Sequence, residues 1–233
     1  GARLEAQEPA LKSGVAGGIV FPDDCHLRPD RYLAELQRWV EAAGGVIETA
    51  VEVRSLSSEG SRIHALQTSQ GSREARDVVF ATGAWSPMFA RALGVRLPIQ
   101  PGKGYSITWS RPALVPSRPL VLKERSVCVT AWESGFRLGS TMEFSGYDDT
   151  LNRTRLDALV RGAAEYLHVP VGEEKREEWF GWRPMTWDDL PLLGAVPGRR
   201  GLWLACGHGM MGVSMSAVTR HLLADLICDR VPV

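Results

Sequence analysis

Three stretches of the sequence hold residue types whose spacing suits chemistry. The first is Gly207-His208-Gly209-Met210-Met211-Gly212, which satisfies G-x-G-x-x-G literally. An apolar run at 202–206 precedes it and a helical pattern at 213–227 follows. A nicotinamide-dinucleotide site also needs a second parallel strand and an acidic residue further on, and the sequence reaches only Val233, so that site is not expected. What remains is a glycine-rich turn. Its backbone N–H groups and the helix N-terminus behind it suit partial negative charge. The plain alternative is a tight strand-to-helix turn. The second stretch, 77–87, runs an apolar strand into Ala81-Thr82-Gly83, residues small enough for a flat ligand to approach the backbone. An ordinary buried strand end is its alternative. The third, 181–194, sets Arg183 between Trp182 and Pro184. A guanidinium among apolar neighbours must find an anion, and it binds a carboxylate in bidentate fashion. That anion is a ligand carboxylate, or an internal acid such as Asp188 or Asp189.

The elements that position these stretches follow from periodicity. Residues 28–43 read as a helix, with Pro29 in its first turn and Tyr32, Leu33, Leu36, Trp39, Val40 and Ala43 on one face. Residues 152–167 and 213–227 read as further helices, and 85–93 as a short one. Strands are expected at 17–21, 46–56, 62–68, 77–81, 105–109, 120–122, 127–131, 136–142, 177–183 and 202–206. The strand-rich middle differs in texture from its flanks. A sheet domain inserted into an α/β domain is therefore expected, with breaks near 96 and 176.

Composition excludes several classes. The chain has 233 residues, 27 Lys+Arg and 27 Asp+Glu, hence a formal net charge of zero. A nucleic-acid binder that relies on a basic face is not expected. No run is long and apolar enough to span a membrane. Cys25, Cys128, Cys206 and Cys228 are widely spaced, so neither a metal site nor a redox pair is expected, and reduced, mostly buried thiols in a cytoplasmic protein are. No signal peptide is visible, and without an initiator Met the chain reads as processed or as a fragment.

Five segments in order carry a resemblance: ATGAWS at 81–86, PGKGYSITW at 101–109, RLGSTMEF at 137–144, GWRPMTWDDLPLLG at 181–194 and GLWLACGHGMMGVSMS at 201–216. The series resembles the FAD-dependent D-amino acid oxidase superfamily, and most of all its bacterial D-amino acid dehydrogenase and glycine oxidase-like branch. The similarity runs from about residue 9 to residue 229. The family's opening strand, G-x-G-x-x-G turn and helix, which cradle the FAD pyrophosphate, have no match before Gly17. The resemblance therefore implies a member without its N-terminal βαβ unit, either truncated or completed by another chain.

The resemblance implies an α/β (α+β mixed) fold. A partial FAD-binding domain would occupy 25–95 and 177–233, and a mostly antiparallel substrate-binding domain 1–24 and 96–176. It places Val51 at the adenine, Thr82, Gly83 and Trp85 along the FAD, and the backbone of Gly209, Met210, Met211, Gly212 and Val213 at the flavin. Arg183 matches the arginine that holds the substrate carboxylate, and Tyr105 is a candidate to bond the same carboxylate or merely to pack on the sheet. The implied reaction is oxidation of a D-amino acid or similar small amino acid. Hydride passes to flavin N5, the imino acid hydrolyses to a 2-oxo acid and ammonia, and oxygen or a quinone accepts the electrons. A quinone acceptor would place the enzyme at the inner face of a bacterial membrane. The other class is a non-catalytic fragment or subunit that cannot hold FAD alone. His208 reads as structural, Lys103 as facing flavin or solvent, and Trp179, Trp182 and Trp187 as a pocket wall or ordinary core.

Overall fold

The computed structural model describes residues 2–229, whose helices and strands follow the local signals closely through the second half of the chain. In order they are α1 (Ala2–Gln7), α2 (Pro29–Ala42), β1 (Val53–Glu59), β2 (Arg62–Thr68), β3 (Gly71–Glu74), β4 (Val78–Phe80), α3 (Ser86–Leu93), β5 (Ile99–Trp109), β6 (Leu120–Leu122), β7 (Val127–Trp132), β8 (Gly135–Glu143), α4 (Arg153–Tyr166), β9 (Lys175–Thr186), β10 (Leu192–Ala195), β11 (Leu202–Cys206) and α5 (Gly212–Ile227). A short 3-10 turn, Gly83–Trp85, leads into α3. The fold is mixed α/β.

The largest sheet has the order β6-β7-β8-β5-β9, and all its pairs are antiparallel. Its backbone is the long β5–β9 ladder, which runs from Ile99 opposite Thr186 to Trp109 opposite Lys175. Side chains alternate across a strand. Tyr105, Ile107 and Trp109 therefore join Phe136, Leu138, Val127 and Val129 in one core. Helix α4 closes that core with Leu156, Leu159 and Ala163, a stripe at helical spacing. Asn152 starts the helix: its side chain accepts a bond from the Arg155 N–H at 3.3 Å. The opposite face of the sheet carries Gly102, Gly104 and Ser106 on β5, beside Gly139 on β8 and Gly181 on β9.

A second sheet, β10-β11-β4, holds the parallel pair of β11 and β4. A second core forms beside it from Ile63, Val78, Phe80, Leu93, Leu97, Val196 and Leu202. The strands β1-β2-β3 make a separate antiparallel meander.

Three expectations are corrected, two strands and the cysteines. Residues 17–21 form no strand, and Ile19 is 82% exposed. The strand expected at 46–56 begins only at Val53, with Val46 equally exposed. Helix α2 forms, but none of its residues is buried, and Leu33 and Trp39 are each 64% exposed. Periodicity fixes a helix locally, whereas burial of its stripe needs a facing surface. Three of the four cysteines are exposed, and only Cys206 is buried. Among the described residues no helix is long and apolar enough to cross a membrane, and no cluster of potential metal ligands occurs. The break expected near 176 falls inside β9, which pairs along its length with β5. Of the expected domain ranges, residues 1 and 230–233 lie outside the described residues.

Leu159→Ala should lower the unfolding free energy by about 2–5 kcal/mol, because it empties a fully buried site under the large sheet. Leu33→Ala on the open stripe of α2 should change it by less than about 0.5 kcal/mol. Urea denaturation of the two variants checks both.

Candidate active site

Arg183 stands on β9 opposite Gly102, on the glycine-lined face of the sheet. Its guanidinium folds back over Gly104, where an added Cβ would lie 2.0 Å from Nη1 and 2.5 Å from Cζ. No side chain other than hydrogen would leave room for it. Among the described residues its Nη1 donates to the Thr141 carbonyl at 3.3 Å and, weakly, to Met142 Sδ at 4.0 Å. Neither Asp188 nor Asp189 pairs with it; Asp188 instead accepts from the Leu190 N–H within its own turn, at 3.2 Å. Burial pushes the guanidinium pKa down from its ordinary value. It remains a cation, since arginine does not deprotonate in proteins. A half-buried cation with one carbonyl for its five donors is poised for an anion.

The carbonyl is aimed there by an irregularity in β8. Between the pairs Lys103–Glu143 and Tyr105–Ser140, two residues of β8 oppose one of β5. This is a β-bulge. Ser140 and Thr141 both adopt positive φ, 118° and 60°, which is uncommon for residues with a Cβ. The hydroxyls of Thr141 and Ser106 are buried with no hydrogen-bond partner among the described residues.

Tyr105 is a correction. Strand alternation puts it on the face opposite Arg183, where it is 2% exposed within the main core. Its hydroxyl donates to Glu143 Oε2 at 3.2 Å. Burial pushes its pKa up. Lys103 shares this inner face and is fully buried, bonded to Asp148 at 2.9 Å, so it faces neither solvent nor the glycine-lined side.

The turn 207–212 abuts the end of β9. The Gly209 N–H donates to the Pro184 carbonyl at 3.0 Å, next to Arg183. Gly207 and Gly209 have φ of 77° and 53°, a region that glycine enters without strain. Not every amide expected to face a flavin is free to do so. Gly209 is committed to Pro184, and the Met211 N–H donates to the His208 carbonyl at 2.9 Å. At the start of α5, the amides of Gly212 and Val213 have no acceptor four residues back inside the helix, as at any helix N-terminus. Met210, Met211 and Val213 expose their side chains. His208 bonds Thr219 Oγ1 at 3.0 Å, and burial lowers its pKa, in keeping with a structural role.

The Thr82–Trp85 turn is braced against the sheet. Thr82 Oγ1 lies 3.0 Å from Ser86 Oγ, which donates to the Gly83 carbonyl at 2.7 Å. Trp85 packs edge-on against Trp182, with centroids 5.7 Å apart. Tyr147, which had no role in the sequence, donates its hydroxyl to the Ala84 carbonyl at 2.6 Å and meets Trp182 edge-on. Val51 lies two residues ahead of β1, beside the separate meander, and the structure does not bring it to Arg183.

Arg183 and the Gly209 turn thus meet near the end of β9, and the Thr82–Trp85 turn packs on Trp182, on the other face of that strand. The α5 N-terminus and the unobstructed space around Gly83, where an added Cβ would meet nothing within 4 Å, fit a flat, electron-rich group such as a flavin. The model of the DAO family, FAD dependent oxidoreductases, matches residues 1–226. The chain belongs to this family. Among relatives, the D-amino acid dehydrogenase of Paramagnetospirillum magneticum is 37% identical over 235 residues, covering 98% of this chain and 55% of that protein. The glycine oxidase of Pseudomonas putida is 30% identical over 227 residues, covering 97% of this chain and 62% of that protein. The crystal structure of glycine oxidase from Geobacillus kaustophilus superposes with a TM-score of 0.90 at 28% identity, covering 99% of this chain and 62% of that one. The chain thus spans little more than half the length of these family members.

The glycine-lined face gives a direct test of how Arg183 is seated. Gly104→Ala should displace the guanidinium, which is the end of a flexible side chain, and leave the melting temperature nearly unchanged. Acetate affinity, measured by titration calorimetry, should fall about 10-fold with the loss of one well-placed charge-assisted contact.

Proposed function

We propose that the chain forms the substrate-facing part of an enzyme that oxidises a D-amino acid or similar small amino acid to the 2-oxo acid and ammonia. The observation that carries this is the unpaired guanidinium of Arg183, seated over Gly104 beside the Gly209 turn. A substrate carboxylate would take both terminal nitrogens in one plane. This fixes the amino acid by its acid end and leaves its Cα free to present its hydrogen toward the Gly209 turn. Orientation of that hydrogen is the chain's main contribution to rate. Bound FAD would supply the two-electron acceptor. The amino acid loses hydride from Cα and a proton from nitrogen, and water converts the imino acid to products. Gly212 and Val213 at the α5 N-terminus, with Thr82, Gly83 and Trp85, would hold the flavin, and Val51 the adenine. No side chain is assigned as an obligatory base.

We assign residues 96–186, with the chain's first stretch, to a substrate domain, since β9 pairs wholly with β5. The remaining residues up to 233 form part of a cofactor domain. Further polypeptide would cover the open apolar stripe of α2. Two observations support this: the share of the relatives' length that the chain spans, and the exposure of Leu33, Trp39 and Val40.

In the complete, FAD-loaded protein, Arg183→Ala should lower kcat/KM roughly 30- to several-thousand-fold, the counterpart of about 2–5 kcal/mol for a broken charge pair. Arg183→Lys should recover part of it, because an ammonium cannot match both oxygens. The decisive quantity is kcat/KM for an amino acid relative to its decarboxylated amine. A variant that keeps the wild-type ratio but melts early would overturn the clamp.

A further inference from the structure

We propose that Trp179 is the specificity-determining residue of this site. Its indole is the wall against which the side chain of the bound amino acid packs, and it selects apolar side chains. The proposal rests on the assignment of Arg183 as the carboxylate clamp.

Trp179 and Arg183 flank Gly181 on β9. Residues two apart on a strand share a face, so both stand on the glycine-lined side. The indole lies over Gly181, where an added Cβ would come within 2.3 Å of its outer ring. The guanidinium lies over Gly104 in the same way, and Gly104 and Gly181 are direct cross-strand partners. Opposed Cβ positions in an antiparallel pair are about 4.5–5.5 Å apart. The outer indole ring and the guanidinium therefore sit side by side over two neighbouring glycines.

On the other flank, Met142 and Met185 close over Gly102, where an added Cβ would lie 2.6 Å from Met142 Sδ. The two methionines are partly buried, whereas Trp179 is 54% exposed. A carboxylate held by Arg183 thus has an open, flat apolar surface on one side only. An aliphatic or aromatic side chain gains by covering it, whereas a charged one gains nothing from an apolar ring. Glycine has nothing to place there.

The test uses the complete FAD-loaded protein with Trp179→Ala and Trp179→Phe. One measures kcat/KM for glycine and for D-phenylalanine, and calorimetric affinity for acetate and for 3-phenylpropanoate, which are not oxidised. The alanine variant should lower both ratios, phenylalanine to glycine and phenylpropanoate to acetate, about 10-fold or more. The phenylalanine variant should keep most of each ratio. If the alanine variant fails to fold, Trp179→Leu replaces it in the same comparison. Equal losses for large and small ligands would show a ring that only props the fold, and unchanged ratios would show a ring that touches no ligand; either overturns the proposal. A wild-type protein that neither oxidises an amino acid nor binds acetate would overturn the clamp itself, and Trp179 with it.

Discussion

The register of β5 against β9 is the constraint from which the site follows. In an antiparallel ladder a one-residue slip exchanges every side chain between the two faces. The observed register sends Tyr105, Ile107 and Trp109 into the core and leaves glycines and Ser106 on the other side. Slipped by one, the same sequence would expose its aromatic residues and put glycines against α4. The wide apolar burial on one face therefore enforces the bare floor on the other. Arg183 can lie flat across the sheet only because that floor is bare.

Much of this was legible from local signals. Periodicity and turn residues marked β2, β6, β11, α4 and α5, because each is set by its own residues and buried by near neighbours. The strand ends beside Thr82 and Gly207, and the isolation of Arg183 among apolar residues, could be seen in the sequence. Tyr105 could not be sided correctly. Its face depends on pairing with Ser140 and Phe180, far along the chain, and G-K-G-Y alone does not say which side is core. The alternation of Gly102 and Gly104 against Tyr105 was the available clue. The bulge at Thr141–Met142 left no signal, since the positive φ angles fall on Ser140 and Thr141, neither of which favours the left-handed region. Helix α2 formed as expected. The strands expected at 17–21 and over 46–52 failed for a different reason: their apolar pattern is genuine, but pairing and burial depend on a second surface and not on the segment itself.

The segment 144–151 ties the two halves of the site together. Lys103, entirely buried, holds it through Asp148 Oδ2 and the Thr150 carbonyl, with the Phe180 ring 4.7 Å from the ammonium. Burial pulls the lysine pKa down, and its bonds to Asp148 and Tyr105 more than reverse that, so it stays charged. Three residues before Thr150, the Tyr147 hydroxyl reaches the Ala84 carbonyl. With its lysine end buried, this pair fixes geometry, because breaking it leaves the ammonium without water. Here it fixes how the Thr82–Trp85 turn stands against β9.

The unmatched charge of Arg183 also acts beyond contact range. The chain carries no formal net charge, so at long distance an anion feels little pull. On the glycine-lined face Arg137 is matched by Glu177, whereas among the described residues no acid pairs with Arg183. At physiological ionic strength the screening length is about 8 Å, the span of one small molecule. Attraction of that reach adds little to the frequency of encounter. It works on molecules that have already arrived, by turning the acid end inward before they diffuse away.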